Sequence, residues 1–313
     1  MPDSIPYPLL DPVDGRPLRR IGEYLISSRG RRYWIQNGVI DILDKELMDP
    51  TLDRELKTFE NIPIEKVCYF RPVLMRAAVG LIKHILNRKK CDLSCVEIGG
   101  GEGYFAKAFK DEFPGGVSYV CDLSMRHLKN AAPYLNRIRC DVRRPYLAPE
   151  CVDVAAFWVS LHHFNKHKHD MEDVLFQARN ILRPRGVLVL FEPSMDFLPR
   201  RILLASSLKR LVYFDKEEKA LRYKDLSNRL NQLGFQVRFV TGHNPPYNLE
   251  FMRKFRLGIL FFLIAESFYQ IERLIILSPR NWWSSSKKEA TKKRMPLMMG
   301  SYFFSILTLE SKD

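Results

Sequence analysis

Glu97 is followed by four glycines within six residues, in the stretch EIGGGEG that ends at Gly103. Glycines directly after an apolar run let a ligand approach the backbone closely. The spacing Glu97-x-Gly99-x-Gly101-x-Gly103 differs from the G-x-G-x-x-G fingerprint of dinucleotide sites, and the Gly-Lys-Ser/Thr of a phosphate-binding loop does not follow it. A carboxylate at this position repels a pyrophosphate and attracts an ammonium group. The loop therefore predicts a ligand with a cationic amino-acid part.

Two further acids follow the next two predicted strands. Asp122 lies 19 residues beyond Gly103, where doubly wound sheets place the carboxylate that binds ribose hydroxyls. Asp141 can accept a hydrogen bond from an adenine amine, while Val142 packs on the ring. An amino-acid part, a ribose and an adenine together describe S-adenosylmethionine. Structural alternatives are an N-cap role for Asp122 at the helix that opens at Ser124, and a turn-capping role for Asp141.

The histidines after the fourth predicted strand are candidates for proton transfer. Methyl transfer is an in-line displacement that needs a base only where the acceptor must lose a proton. Because histidine as a residue type titrates near neutrality, His162 and His163 are the base candidates, and we take His163 as the catalytic candidate. The alternative is an inward, structural imidazole. We interpret His167 and His169 as part of a solvated loop. We predict no metal site, because no matching Cys, Asp or Glu spacing accompanies these histidines.

The elements that must position these residues follow a regular pattern. From residue 94 onward, apolar runs of strand length alternate with helical segments. This alternation predicts an α/β fold, with a doubly wound, mostly parallel seven-stranded sheet and helices on both faces. The predicted strands cover 94–98, 117–121, 137–140, 152–159, 186–191, 235–241 and 302–309. The predicted helices cover 53–62, 71–90, 103–113, 124–137 and 171–182.

Five segments, in this order, resemble the motifs of class I S-adenosylmethionine-dependent methyltransferases of the small-molecule type. They are VEIGGGEGYFAKAF, VCDLS, IRCDV, VDVAAFWVSLHHF and ILRPRGVLVLFEPS, and they fall within residues 94–195. The resemblance implies a Rossmann-like methyltransferase fold, with Glu97 orienting the cofactor ammonium and the loop, and Leu123 flanking the adenine. The cofactor-binding residues that it implies are Glu97, Gly99, Gly101, Gly103, Asp122, Leu123, Asp141, Val142 and Ser160.

Residues 1–48 form a small β-rich leader ahead of a methyltransferase domain predicted over 49–313. The leader resembles the zinc-ribbon-like segment that precedes many bacterial methyltransferase domains, in which two C-x-x-C pairs hold a metal. The corresponding positions here are Asp11, Asp14, Ile26 and Arg29. That set would not make a structural zinc site, so the resemblance implies a degenerate leader without metal. A β-rich cap with no metal ancestry is the alternative.

The last two predicted strands flank an insertion at about 242–300, which combines a long apolar segment with NWWSSSKKEATKKR. Tryptophan beside a basic cluster is typical of a membrane interface, whereas a helical substrate lid is the plainer interpretation. The formal charge of +14 favours anionic partners without choosing among them. Nucleic acid is disfavoured, because no RNA-binding module is visible.

The sequence as a whole predicts an S-adenosylmethionine-dependent methyltransferase with a small-molecule or lipid- or glycan-linked acceptor. Six cysteines without a C-x-x-C pair, and no secretory signal pattern, predict a cytoplasmic protein, with peripheral contact to anionic membrane as a further expectation. A non-catalytic cofactor-binding protein is the main alternative. An NAD-dependent oxidoreductase is disfavoured by Glu97 and the glycine spacing.

Overall fold

The computed structural model describes residues 8–61, 72–86, 92–165, 170–196, 221–243 and 302–310. All seven strands predicted from residue 94 onward are present: β5 (Cys95–Ile98), β6 (Ser118–Asp122), β7 (Asn136–Arg139), β8 (Val152–Trp158), β9 (Leu182–Pro193), β10 (Phe235–His243) and β11 (Tyr302–Leu309). Four strands precede them: β1 (Arg19–Ile21), β2 (Tyr24–Ile26), β3 (Arg32–Gln36) and β4 (Val39–Asp41). The α/β prediction is confirmed.

The strands form one eleven-stranded sheet in the order β1-β2-β3-β4-β7-β6-β5-β8-β9-β11-β10. Its centre is parallel from β4 through β9, and β10 and β11 add antiparallel strands on one side. Parallel strands end at the same edge of a sheet, where doubly wound folds place their ligands. The carboxyl ends of β5, β6, β7 and β8 therefore bring the predicted site residues to one edge.

Helices cover both faces of the sheet. They are α1 (Pro50–Asn61), α2 (Pro72–Ile85), α3 (Tyr104–Glu112), α4 (Met125–Asn130), α5 (Asp170–Ile181) and α6 (Tyr223–Gln232). One core layer joins α2 and α3 to the sheet through residues such as Ile82, Phe105 and Trp158. The other contains Val174 of α5 and Leu226 of α6. Alternation of the strand side chains between these layers is what a sheet covered on both faces requires.

The helix predicted over 124–137 is much shorter than expected. It ends at Asn130, and β7 begins at Asn136. Pro133 lies between them and cannot continue a helix, since its ring removes a donor and restricts the residue before it. The apolar residues counted toward the helical pattern, Leu135 among them, instead lead into the strand.

The leader joins the central sheet edge to edge. β4 pairs in parallel with β7, with Ile40 opposite Ile138, and Arg139 Nη1 lies 3.0 Å from Asp41 Oδ2. The zinc-ribbon resemblance of the leader is not supported, and two of the positions that it would assign to metal ligands form an ion pair, because Arg29 Nε lies 3.3 Å from Asp14 Oδ2. The boundary at residue 48 stays a prediction, but the leader strands extend the sheet.

Several predictions lie outside the described residues. They concern His167, His169 and nearly all of the 242–300 insertion. In the part of the chain that the structure describes, no helix combines the length and the apolar character needed to cross a bilayer.

Candidate functional site

The glycine loop between β5 and α3 adopts a backbone that favours glycine. Gly99, Gly101 and Gly103 have φ angles of 64°, 55° and 72°, in the left-handed region that side chains disfavour. A Cβ built on Gly99 would lie only 2.8 Å from Cβ of Ser160, and one built on Gly103 would lie 3.0 Å from a methyl of Leu135. These glycines allow close packing of the loop against β8 and the region before β7, while their role in binding a ligand stays a prediction.

Glu97 lies under the loop at the end of β5. Glu97 is only 2% exposed, and its Oε2 accepts a hydrogen bond of 2.8 Å from the backbone N–H of Ala106. This N–H belongs to the first turn of α3, whose N-cap Gly103 offers no side chain, so Glu97 satisfies a donor that the helix leaves open. Burial raises the pKa of Glu97 to about 8, against the lowering effect of the backbone N–H groups of Ala106 and Phe105. Glu97 thus fixes the loop to the helix, and its contact with a ligand ammonium stays a prediction.

Asp122 ties the end of β6 to the same loop. Its Oδ2 accepts from the N–H of Gly101 at 2.8 Å, and its Oδ1 accepts from the N–H of Ser124 at 2.8 Å. Ser124 itself caps α4, since its Oγ accepts from the N–H of His127 at 3.2 Å. The N-cap role considered for Asp122 therefore belongs to Ser124. Carboxylate oxygens have further lone pairs, so both hydrogen bonds leave Asp122 able to accept from ribose hydroxyls.

Asp141 is held by an arginine that the sequence analysis missed. Arg143 donates to it from Nε and Nη2, each at 2.9 Å, and also contacts Asp170 Oδ1 at 3.1 Å and Asp49 Oδ2 at 2.9 Å. The backbone N–H of Arg143 donates to Asp141 Oδ1 at 3.1 Å, which is the turn-capping alternative. Val142 beside it is buried. The adenine contacts of Asp141 and Val142 stay predictions.

The chain turns sharply where β8 ends. Val159 has a φ of 58°, a left-handed conformation that is strained for a β-branched residue. Ser160 follows, and its Oγ donates to the carbonyl of Ile98 at 2.6 Å. The turn thereby attaches the end of β8 to the end of β5, one residue before Gly99.

Glu192 of β9 is fully buried, and its carboxylate holds the backbone of this turn. Its carboxylate accepts from the N–H groups of Ser160, Leu161 and His162 at 2.9, 2.8 and 3.3 Å. It also lies 2.8 Å from Nδ1 of His162. A carboxylate that accepts from Nδ1–H fixes the orientation of an imidazole and leaves Nε2 as its basic nitrogen.

The structure thus distinguishes the two neighbouring histidines. The imidazole held by a buried carboxylate is that of His162, and the ring of His163 packs on it with centroids 4.1 Å apart. The catalytic assignment of His163 stays a prediction, but the geometry favours His162. Glu192 was not among the residues predicted from the sequence. Its signal was visible, because it is an acid at the end of the apolar run VLVLFE. Such a carboxylate is buried and must find hydrogen-bond donors in the fold.

Comparisons with known proteins agree with this architecture. Residues 96–190 match a family model described as a methyltransferase domain. A search of curated proteins finds no match. Among solved structures, the plantazolicin methyltransferase in complex with S-adenosylhomocysteine is 15% identical, with a TM-score of 0.47 and with 84% of this chain and 91% of that chain covered.

Two further solved structures have comparable scores. A SAM-dependent methyltransferase from Thermotoga maritima is 19% identical, with a TM-score of 0.44 and coverage of 60% of this chain and 84% of that chain. One from Archaeoglobus fulgidus is 14% identical, with a TM-score of 0.44 and coverage of 75% and 93%. At these identities and scores, the neighbours identify no acceptor or partner for this chain.

The matched segment contains the carboxyl ends of β5, β6, β7 and β8 and most of β9, but it ends two residues before Glu192. It begins after the leader, so the zinc-ribbon resemblance of residues 1–48 gains no support from it. Residues 96–190 therefore carry a methyltransferase domain, and S-adenosylmethionine is the methyl donor that we expect for it.

Proposed function

We propose that this methyltransferase domain acts on a small-molecule or lipid- or glycan-linked acceptor whose nucleophile is an oxygen or nitrogen that must lose a proton. The observation that supports this acceptor class is the pair formed by Glu192 and His162, 2.8 Å apart, at the end of β8. An acceptor with a free lone pair, such as a thioether or a neutral amine, would not require such a pair.

The residues at the sheet edge fit the cofactor. The left-handed glycines leave the backbone accessible beside Glu97, and the carboxylate of Asp122 faces the loop at Gly101. When bound, S-adenosylmethionine supplies a methyl group on a sulfonium that is already a good leaving group. Gly99, Gly101 and Asp122 would hold its amino-acid and ribose parts, and the chain's remaining task is to align the acceptor and manage its proton.

His162 would take up that proton at Nε2. Its Nδ1 is engaged by Glu192, and none of the described residues forms a hydrogen bond with Nε2. Glu192 would stabilise the imidazolium, as a buried carboxylate does behind other catalytic imidazoles. Three backbone N–H groups already fix that carboxylate, so no reorganisation is required when the charge develops.

Calorimetric titration with S-adenosylmethionine, S-adenosylhomocysteine and NAD tests the cofactor assignment. We expect binding of the two adenosyl compounds and none of NAD. Transfer of a labelled methyl group to a panel of alcohols, phenols and ammonium-form amines, with a thioether as the acceptor that needs no base, then tests the acceptor class. Absence of binding to both adenosyl compounds would overturn the proposal, and binding without any transfer favours a non-catalytic binding protein.

A membrane contact is a separate proposal, supported by the sequence of 242–300 alone. Tryptophans next to a basic cluster suit anionic lipid headgroups. Co-sedimentation with phosphatidylserine vesicles at low and high salt measures it. Pelleting that is absent at low salt would contradict the contact, whereas loss of pelleting at high salt would support it.

A further inference from the structure

The imidazole of His127 is buried, and its Nδ1 has no hydrogen-bond partner among the described residues. His127 lies in the first turn of α4 and is only 3% exposed. Its backbone N–H is satisfied by Ser124 Oγ. A buried polar atom without a partner is costly and therefore requires an explanation.

The position of His127 connects it to the predicted cofactor site. A Cβ built on Gly101 would lie 4.0 Å from Cβ of His127 and within 4 Å of no other non-neighbouring atom. The N–H of that same glycine donates to Asp122. Burial raises the pKa of Asp122, and the backbone N–H groups of Ser124 and Gly101 and the charge of His127 act in the opposite direction. His127 is thus an electrostatic neighbour of the ribose-binding candidate.

We propose that His127 is a second ribose-binding residue, whose imidazole pairs with one hydroxyl of the nucleoside diol while Asp122 accepts from the diol. A neutral imidazole has one donor and one acceptor nitrogen, and a hydroxyl can serve either. Because Nδ1 is enclosed in the free protein, the ring would turn toward the diol when the ligand binds, and the diol would then supply the partner that Nδ1 lacks. This inference rests on the proposed function, because it assumes that the loop and Asp122 hold an adenosyl cofactor.

Calorimetry with S-adenosylhomocysteine, and with its 2′-deoxy and 3′-deoxy analogues, tests the pairing. His127→Phe keeps a planar ring without nitrogen and should weaken binding of S-adenosylhomocysteine about tenfold, the effect of one lost hydrogen bond. The analogue that lacks the paired hydroxyl should bind His127→Phe and the wild type alike. The inference would be overturned if each analogue lost the same affinity, relative to S-adenosylhomocysteine, in the wild type and in His127→Phe. It would also be overturned if His127→Phe bound S-adenosylhomocysteine as tightly as the wild type does.

Two conservative variants and one control sharpen the test. His127→Asn places an amide near the position of Nδ1, and His127→Gln near that of Nε2, so the variant that restores affinity identifies the nitrogen. His84→Asn on α2 is the matched control and should leave the affinity unchanged. If the wild type binds S-adenosylhomocysteine and the His127 variants bind equally well, only this inference fails; if the wild type does not bind, the proposed function fails.

A measurement on the unaltered protein covers the case in which the variants do not fold. In the full chain with ¹⁵N-labelled histidine, titration with S-adenosylhomocysteine should shift the ring nitrogens of His127 by more than those of His84. A shift of the 2′-deoxy or 3′-deoxy complex back toward the free protein supports the pairing. Ring signals of His127 that do not respond to the ligand would overturn it.

Discussion

Single residues at this site place ionisable groups where charge is costly. Glu97 is buried beneath Gly100, where a Cβ would lie 2.6 Å from its Cγ, and its carboxyl contacts the first turn of α3. Burial disfavours the ionised form, which is why the pKa of Glu97 rises to about 8 despite two backbone donors. The folded chain therefore keeps a proton there that the unfolded chain releases near pH 4.5.

This difference gives the protein a pH-dependent stability in the absence of ligand. Between the unfolded and folded pKa values of Glu97, this carboxyl binds more protons in the native state, so its contribution to the free energy of unfolding should fall as pH rises from about 4.5 to about 8. Glu97→Gln should remove that fall and be the more stable form by a few kcal/mol near pH 8. Urea unfolding of both proteins near pH 5 and pH 8 checks this, with the exposed Glu112→Gln as control. Parallel curves for wild type and Glu97→Gln would contradict it.

A second prediction for single residues concerns proton transfer at His162. His162→Gln should reduce kcat by roughly 10²-fold or more, once labelled transfer has identified an acceptor, because the group that takes the proton is lost. Affinity for S-adenosylhomocysteine should change little. His163→Gln is the matched control, with the smaller effect on kcat. A larger loss of kcat in His163→Gln than in His162→Gln would assign the catalytic role to His163.

At the scale of elements, replacing glycine by alanine should have opposite effects on stability in a helix and in the loop after β5. Gly80 lies within α2, and a Cβ there would meet no atom within 4 Å. Gly80→Ala should therefore stabilise the protein by about 0.5–1 kcal/mol, through the better helix propensity of alanine. Chemical unfolding measures this gain, and a destabilised variant would contradict it.

Gly99 is the contrasting case. Its φ of 64° disfavours a side chain, and an added Cβ would approach Ser160 to 2.8 Å. Gly99→Ala should lower the free energy of unfolding by at least about 1–2 kcal/mol and weaken binding of S-adenosylhomocysteine, because the ends of β5 and β8 would separate. Unchanged stability together with unchanged affinity would show that the loop tolerates the change.

Which elements the sequence revealed depended on how local their signals are. The strands on which the site is built have continuous apolar runs with turn residues between them, and each was found within a few residues of its observed bounds. The helix after Ser124 was drawn too long because a helical pattern was followed past Pro133. Glu192 and Arg143 were missed because their partners, His162 and Asp49 among them, are distant in sequence and meet only in the folded sheet.

At the scale of the whole molecule, the leader completes one side of the methyltransferase sheet. β4 covers β7, and the core beneath them includes Leu9, Leu25 and Ile40 of the leader together with Ile138 of β7. No local pattern in residues 1–48 could reveal this pairing, since it joins segments about a hundred residues apart. β7 leads directly to Asp141, so the leader also supports one wall of the predicted adenine site.

Removal of residues 1–48 tests this dependence. We expect the shortened chain to form oligomers in size-exclusion chromatography, because β7 would present an open edge and an uncovered apolar surface. Its affinity for S-adenosylhomocysteine should fall as well. A monomeric fragment of 49–313 with full affinity would instead establish the leader as an independent domain and confirm the predicted boundary.

The two outermost strands of the described sheet share a property that bears on solubility. β1 contains Arg19 and Arg20, and β10 contains Arg238. An open strand edge is a template on which another chain can add. Two copies that approach through these edges would bring like charges together and would have to desolvate them. The sheet therefore ends on both sides in residues that oppose its own extension, which should discourage fibrillar association of a chain with this much β-structure.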